Sequence, residues 1–361
     1  ICDGVTSTWS EYDHRSAKLA GFLVGQGLGV ESKVGLYLHN SNEYMEAHHA
    51  AMKFRGCPIN VNYRYQEDEL VYLLNNADAE AVVFHSKYAG RIEAIKDRLE
   101  KTKVFIQVSD DSGNALVFGS HDYESVIMGS EPMKRINRKA EDLYMLYTGG
   151  TTGMPKGVMY SNGEHCSSLC GIGAMLGTPV PQSITDLSDC VSQTRDIGLS
   201  PRGLVCCPLM HGTGIWVGAM ITHLAGGAVI TVKKLGLDAD LLLKQIENER
   251  ASLATIVGDA FARPILNALD KAQKDGKPYD LSSLKIMLSS GVMWSQETKE
   301  GLLGHHDMML VDAMGSSEGN MGIAVAARGV PPKTASFQAN EDVKVFDDNN
   351  CQVTPGSDEM G

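Results

Sequence analysis

No stretch of the 361-residue chain approaches the ~20 consecutive apolar residues that a membrane-spanning helix requires. The opening residues lack the basic and apolar regions of a secretory leader. The chain enters a helical pattern directly from Ile1, without an initiating Met, so a natural start upstream is expected. None of the eight cysteines forms a CxxC pair, which points to a reduced, cytoplasmic protein with buried thiols. Internal repeats are absent as well. Positive charge is in deficit: 32 Lys and Arg stand against 44 Asp and Glu, a formal net charge of −12. Phosphate binding over a broad surface needs clustered basic residues, so no nucleic-acid partner is expected. A small anion held by backbone amides and a single Lys remains compatible with this balance. Hydrophobic residues supply 43% of the chain and charged residues 21%, which excludes a disordered tail, a fibre or a disulfide scaffold. Glycine, at 38 residues, is the type in excess, and some loops must therefore approach a partner closely.

Along the chain a short apolar run, a turn and an amphipathic helix recur. Ser10, with Asp13 three residues on, is read as a capping box opening a helix that stops in the Gly25–Gly29 turn. Val34–Leu38 reads as a strand; Asn40 caps the next helix, with Glu43 at its third position, and Gly56 closes it. Ala81–Phe84, Val104–Val108, Leu143–Leu146, Leu204–Cys207, Ala228–Val232, Leu253–Val257, Leu284–Leu288 and Met308–Met314 are further strand candidates. Strands alternating with helices predict an α/β fold of mainly parallel sheets, with ligands at the carboxyl ends of the strands. Thr178–Gly203, rich in Pro, Ser, Thr and Asp, reads as a long surface loop or insertion. Near the end, Asp342–Phe346 and Gln352–Thr354 flank a hairpin turn at Asp347–Asn350, the start of an antiparallel β region.

The strongest local signal is Tyr147-Thr148-Gly149-Gly150-Thr151-Thr152-Gly153-Met154-Pro155-Lys156-Gly157, leaving the end of a predicted strand. Its glycines let backbone amides approach a phosphate, its threonines add hydroxyl donors, and Lys156 adds a point charge. Pro155 before Lys156 separates it from a Walker A loop, which needs Gly-Lys-Ser/Thr in succession. Three other patterns are decoys. Gly25-Gln26-Gly27-Leu28-Gly29 lacks the third glycine of a dinucleotide fingerprint, where Val30 stands, and it follows a helix. Gly315-Ser316-Ser317-Glu318-Gly319 spells a nucleophile elbow, yet no His follows Ser317 to serve as the base. The pairs His48-His49 and His305-His306 point about 100° apart on a helix and do not share an ion.

The segment from Thr148 to Gly157 resembles the signature loop of the adenylate-forming superfamily: acyl-CoA synthetases, peptide-synthetase adenylation domains and firefly-type luciferases. Pro208-Leu209-Met210-His211-Gly212-Thr213-Gly214 resembles the family's Pro-Leu-Phe-His segment, Ser289-Ser290-Gly291-Val292 its Ser-Gly-Gly adenine segment, and Met314-Gly315-Ser316-Ser317-Glu318 its Tyr-Gly-x-Thr-Glu motif. Tyr147 to Tyr160 is similar to fatty-acyl and sterol-side-chain CoA ligases in particular. The sequence departs from the pattern at Met314, where the family stacks a Tyr on adenine, at Ser317 for Thr and at Met210 for Phe.

The resemblance implies a layered αβαβα arrangement in which residues 1–361 form a large N-terminal adenylation domain. Its approximate subdivisions are 1–176, 204–330 and 331–361, and a swivelling C-terminal domain is expected beyond Gly361. It further implies ATP-dependent activation of a carboxylic acid, a fatty acid or sterol side chain, to acyl-AMP, followed by thioester formation with CoA. ATP, Mg²⁺ and CoA are the implied cofactors, and small molecules the main partners; peripheral membrane contact and a homodimer stay open. Thr148, Gly149, Gly150, Thr151, Thr152, Gly153 and Lys156 would hold the phosphates, Ser317 the α-phosphate and Glu318 the Mg²⁺. Gly291, Val292, Asp312, Ala313, Met314, Gly315 and Ser316 would line the nucleotide. His211, Thr213, Gly214, Trp216 and Gly258 would border the acyl group. Plainer readings stay beside these: Glu318 as a helix-cap charge, His211 and Trp216 as packing side chains. An aryl or amino-acid adenylating enzyme, a nucleotide-binding module without full catalysis and an α/β-hydrolase using Ser317 are the competing functions. Asp259 imitates the acidic partner that an amino-acid substrate needs for its ammonium group.

Overall fold

The computed structural model describes residues 1–361 apart from 150–152, 176, 184, 235, 331, 332, 335, 340–342, 355, 356 and 358–361, and gives the backbone alone at 175, 320 and 339. The first strands are β1 (Lys33–Tyr37), β2 (Cys57–Asn60), β3 (Ala79–His85), β4 (Val104–Val108) and β5 (His121–Asp122). They form a parallel sheet of order β2-β1-β3-β4-β5. Its strands are buried on both faces by helices, so they read as continuous apolar runs without alternation. A separate antiparallel pair follows, β6 (Leu143–Thr148) and β7 (Lys156–Ser161). The remaining strands are β8 (Arg202–Val205), β9 (Ala228–Ile230), β10 (Leu253–Ile256), β11 (Ile286–Ser290), β12 (Met309–Ser316), β13 (Gly319–Ala326) and β14 (Gln338–Ala339). Their order is β14-β13-β12-β11-β10-β8-β9; β9 to β12 run parallel, whereas β13 and β14 join antiparallel. The predicted α/β class, with antiparallel structure toward the end, is therefore what forms. One apolar cluster runs from Leu36 and Val83 through Tyr144 and Leu146 to Val205, Ile215 and Ile221, joining both large sheets through β6.

Several local readings need correction. The first helix (Trp9–Gly25) is capped by Thr8 and Glu11, not Ser10 and Asp13: the Thr8 hydroxyl accepts from the Glu11 amide while Glu11 reaches back to the Thr8 amide. Its end matches expectation, because Gly27 adopts φ +92° and the Leu28 amide bonds back to the Leu23 carbonyl. The second helix (Asn42–Lys53) is capped by Ser41, which leaves Asn40 for another task. The left-handed residue after it is Arg55, φ +65°, not Gly56; Gly56 is needed because a side chain there would strike the Phe54 ring. Within Thr178–Gly203 a helix, Leu187–Asp196, buries Thr194 against the fold, so the segment is not a plain loop. Strands β2, β5, β7, β13 and β14 are additional to those predicted. At the far end the hairpin forms through a Phe346–Gln352 bridge around Asn350, φ +58°, while Asp342 lies outside the described residues.

Candidate functional site

β6 and β7 pair in register from Leu143 opposite Ser161 to Thr148 opposite Lys156, so the glycine- and threonine-rich segment is held at its two ends by a hydrogen-bonded ladder. Gly150, Thr151 and Thr152 lie outside the described residues. Gly149, Gly153 and Lys156 are exposed, and added Cβ atoms on the two glycines would meet only open space. Among the described residues Lys156 has no carboxylate partner. A cation left unpaired beside open backbone suits an anion supplied from outside the protein.

Asn40, read from sequence as a helix cap, and Asn60, which sequence patterns did not single out, fix the neighbouring segment. Asn40, just past β1, donates to the Cys207 carbonyl at 3.0 Å and accepts from the Leu209 amide at 2.8 Å. Asn60, the last residue of β2, donates to the Tyr147 and Met210 carbonyls at 2.8 and 2.6 Å and accepts from the Tyr147 amide at 2.7 Å. Tyr44 adds a bond from its hydroxyl to the Leu209 carbonyl at 3.1 Å. The carboxyl end of the first sheet thus bolts both the phosphate segment and residues 207–210. His211 follows, exposed, with surrounding protein and then the Arg64 charge lowering its pKa below the ordinary value. Gly214 packs against the Pro208 carbonyl as the second residue of a π-helix, Thr213–Met220. Wide helical turns of this kind are uncommon and frequent at functional sites. Trp216 within it donates to the Tyr144 hydroxyl at 3.0 Å and meets the Tyr160 ring edge-to-face at 5.6 Å.

The second sheet supplies the opposite wall. Gly258 follows β10 with φ +49°, and a Cβ there would collide with the Val292 and Met293 carbonyls, so glycine alone fits. Its amide donates to the buried Ser289 hydroxyl at 2.8 Å. Gly291, after β11, lies beside the Thr213 hydroxyl, and Val292 is exposed. From Ala313 on, β12 emerges toward solvent, with Met314, Gly315 and Ser316 exposed and a bulge between Met314 and Gly315. Ser317 and Glu318 form the two-residue turn of the β12–β13 hairpin, closed by Ser316 opposite Gly319. Glu318 is therefore not a helix-cap residue. Hydrogen bonds from the Ser316 hydroxyl and from the backbone hold its carboxyl below the usual range, and it is ionised at neutral pH. The Tyr160 phenol, raised by burial and then by the Glu318 charge, places that carboxylate within electrostatic reach of β7.

Residues 207–211, Gly258, Gly291 and Ser317–Glu318 thus follow β8, β10, β11 and β12 at carboxyl ends of parallel strands, where ligands bind in open α/β sheets. The phosphate segment joins β6 to β7 and is tied to Met210 through Asn60. Two carboxylates turn away. Asp312 is buried in an ion pair with Lys299 at 2.8 Å, its pKa raised by burial against the opposing pull of Lys299. Asp259 accepts from the Ser295 amide at 3.0 Å and pairs with Arg263 at 3.0 Å. Strand–turn–strand geometry at Ser317 also removes the nucleophile-elbow reading, which requires a strand entering a helix. No group of three or more His, Cys, Asp and Glu able to hold a metal occurs among the described residues. His305 bonds Asp270, and His306 the Leu284 carbonyl.

A family model described as "AMP-binding enzyme" matches residues 1–361. The chain is 32% identical to the medium-chain acyl-CoA ligase Mig of Mycobacterium avium, over 98% of this chain and 66% of that protein. It is 34% identical to the 3-oxocholest-4-en-26-oate–CoA ligase of Rhodococcus rhodochrous, over 99% of this chain and 64% of that protein. The chain therefore spans about two thirds of the length of these relatives. Among solved structures, the anthranilate CoA ligase AuaEII in complex with anthranoyl-AMP superposes with a TM-score of 0.82 at 17% identity, covering 99% of this chain and 64% of that one, a likeness of fold.

Proposed function

The chain belongs to the AMP-binding enzyme family, and from that premise we propose that the protein activates a carboxylic acid with ATP to an acyl-adenylate, releasing pyrophosphate, and then transfers the acyl group to CoA. The observation that carries this reading is that Asn60 bonds both the base of the phosphate segment at Tyr147 and the 207–211 segment at Met210, with Lys156 lacking a carboxylate partner among the described residues and Glu318 ionised in the β12–β13 turn. In such a reaction the substrate's carboxylate is the nucleophile, so the protein needs positioning and charge stabilisation more than a side-chain base. Backbone around Thr148, Gly149 and Gly153, with Lys156, would hold the phosphates; Ser317 would donate to the α-phosphate. One exposed, ionised carboxylate at Glu318, without a wider ligand cluster among the described residues, fits Mg²⁺, which is usually held by one or two carboxylates together with phosphate oxygens and water. That ion would offset negative charge on the phosphates. Gly291, Val292 and the β12 backbone at Ala313–Ser316 would face the nucleotide, and His211, Thr213 and Trp216 the acid.

Medium-chain fatty acids and steroid side-chain acids are the substrates we favour, following what the two relatives are named for. Asp259, held by Ser295 and Arg263, is poorly placed to receive a substrate ammonium, which speaks against amino acids. ATP–pyrophosphate exchange with a panel of fatty, steroid, aryl and amino acids tests the reading; amino acids outperforming every fatty and steroid acid would overturn it. No helix among the described residues is long and apolar enough to cross a membrane. A cytoplasmic location belongs to the same proposal and is checked by cell fractionation; vesicle flotation and solution size address peripheral membrane contact and a homodimer.

A further inference from the structure

We infer that Asn60 is a positioning residue through which the nucleotide and acid subsites sense each other. The inference rests on the proposed function and deepens it. Asn60 is 8% exposed, and its carboxamide uses both donors and its acceptor on two chain segments far away in sequence. Tyr147 immediately precedes Thr148 at the base of the phosphate segment, and Met210 immediately precedes His211. The orientation is forced: reversing the amide would set its oxygen against two carbonyls. Tyr147 also stands opposite Gly157 in the β6–β7 ladder, so movement at the loop base is passed to the strand that begins with Lys156.

The other bolts differ in kind. Among the described residues Asn40 and Tyr44 bond Cys207 and Leu209 and make no hydrogen bond to the phosphate segment. Asn60 touches both sides. Filling either subsite shifts a carbonyl that shares its NH₂ with the other segment, and the donor geometry on the far side changes in response. Such linkage is a coupling free energy between sites and is reciprocal.

The test measures ATP·Mg²⁺ affinity by calorimetry with and without saturating decanoate; the ratio of the two dissociation constants is the coupling. In the unsubstituted protein the ratio is expected to depart from one by about fivefold or more. Asn60→Asp keeps the acceptor for the Tyr147 amide and loses both donations, and the ratio should fall to within about twofold of one. Asn60→Ser, uncharged and too short to span both segments, should behave alike. Asn40→Asp should weaken decanoate binding and preserve the ratio. A measurement that needs no variant is hydrogen exchange: decanoate alone should slow the Tyr147 amide. Coupling retained in a folded Asn60 variant, or a Tyr147 amide indifferent to decanoate that does bind, overturns the inference while leaving the function intact. A ratio of one in the unsubstituted protein with decanoate bound likewise overturns the inference alone, whereas failure of every carboxylic acid to bind overturns both.

Discussion

At the scale of single residues, the site is built from groups that lack partners and groups that have too many to be ornamental. Lys156 has no carboxylate neighbour among the described residues, and Lys156→Ala should weaken ATP binding about tenfold or more, the worth of one charge-assisted hydrogen bond. Calorimetric titration with and without Mg²⁺ reads this, and in the same experiment Glu318→Gln should shrink the gain that Mg²⁺ brings; unchanged affinities in both would remove the assignments. Lys156 and Glu318 could be put forward from sequence because each sits in a short motif whose composition is local. Asn60 was not legible. Its partners lie 87 and 150 positions away, and an Asn at the end of an apolar run looks like any polar terminator until the chain has folded.

At the scale of elements, periodicity identified most strands of both sheets, since parallel strands buried on two faces leave unmistakable apolar runs. It missed β2, whose Cys-Pro-Ile-Asn is too short and mixed to stand out, the two-residue β5 and β14, β7, whose first residue belongs to a glycine-rich motif, and β13, which follows directly on the Ser317–Glu318 turn. Caps slipped by a residue or two because Thr8, Ser10, Asn40 and Ser41 are all good capping types and only the geometry chooses among them. The buried pair Lys299–Asp312 pins the helix Gln296–His305 to β12, with the Lys299 ammonium 5.3 Å from the Trp294 ring centre. Lys299→Met leaves a carboxylate alone in the interior and is expected to cost about 3–5 kcal/mol, whereas Lys299→Met with Asp312→Leu should recover most of it. Urea denaturation distinguishes the two; equal losses would mean the pair matters only for packing.

At the scale of the whole molecule, the fold keeps an unusual set of histidines neutral. Burial lowers His39, His49, His85 and His165 to about 4, and His48 and His223 to about 3. The unfolded chain binds protons at these groups near pH 6.5 while the folded one does not, so stability is full above that pH and is lost as pH falls toward 4. Each contributes a slope of about 1.4 kcal/mol per pH unit inside the window. Asp312 and Glu46, raised chiefly by burial, work in the opposite sense and soften the descent. Urea midpoints at pH 7.5, 6 and 5 should fall steeply with the second step at least as large as the first; a flat profile would contradict the buried neutral imidazoles. The β6–β7 ladder has a different consequence. Because Thr148 and Lys156 are already paired, the residues between them form an interchangeable cassette whose ends are set by the scaffold. Doubling the length of such a closed segment costs only about 0.6 kcal/mol in chain entropy, so foreign loops grafted there should leave the framework folded and let phosphate recognition be rewritten independently of it.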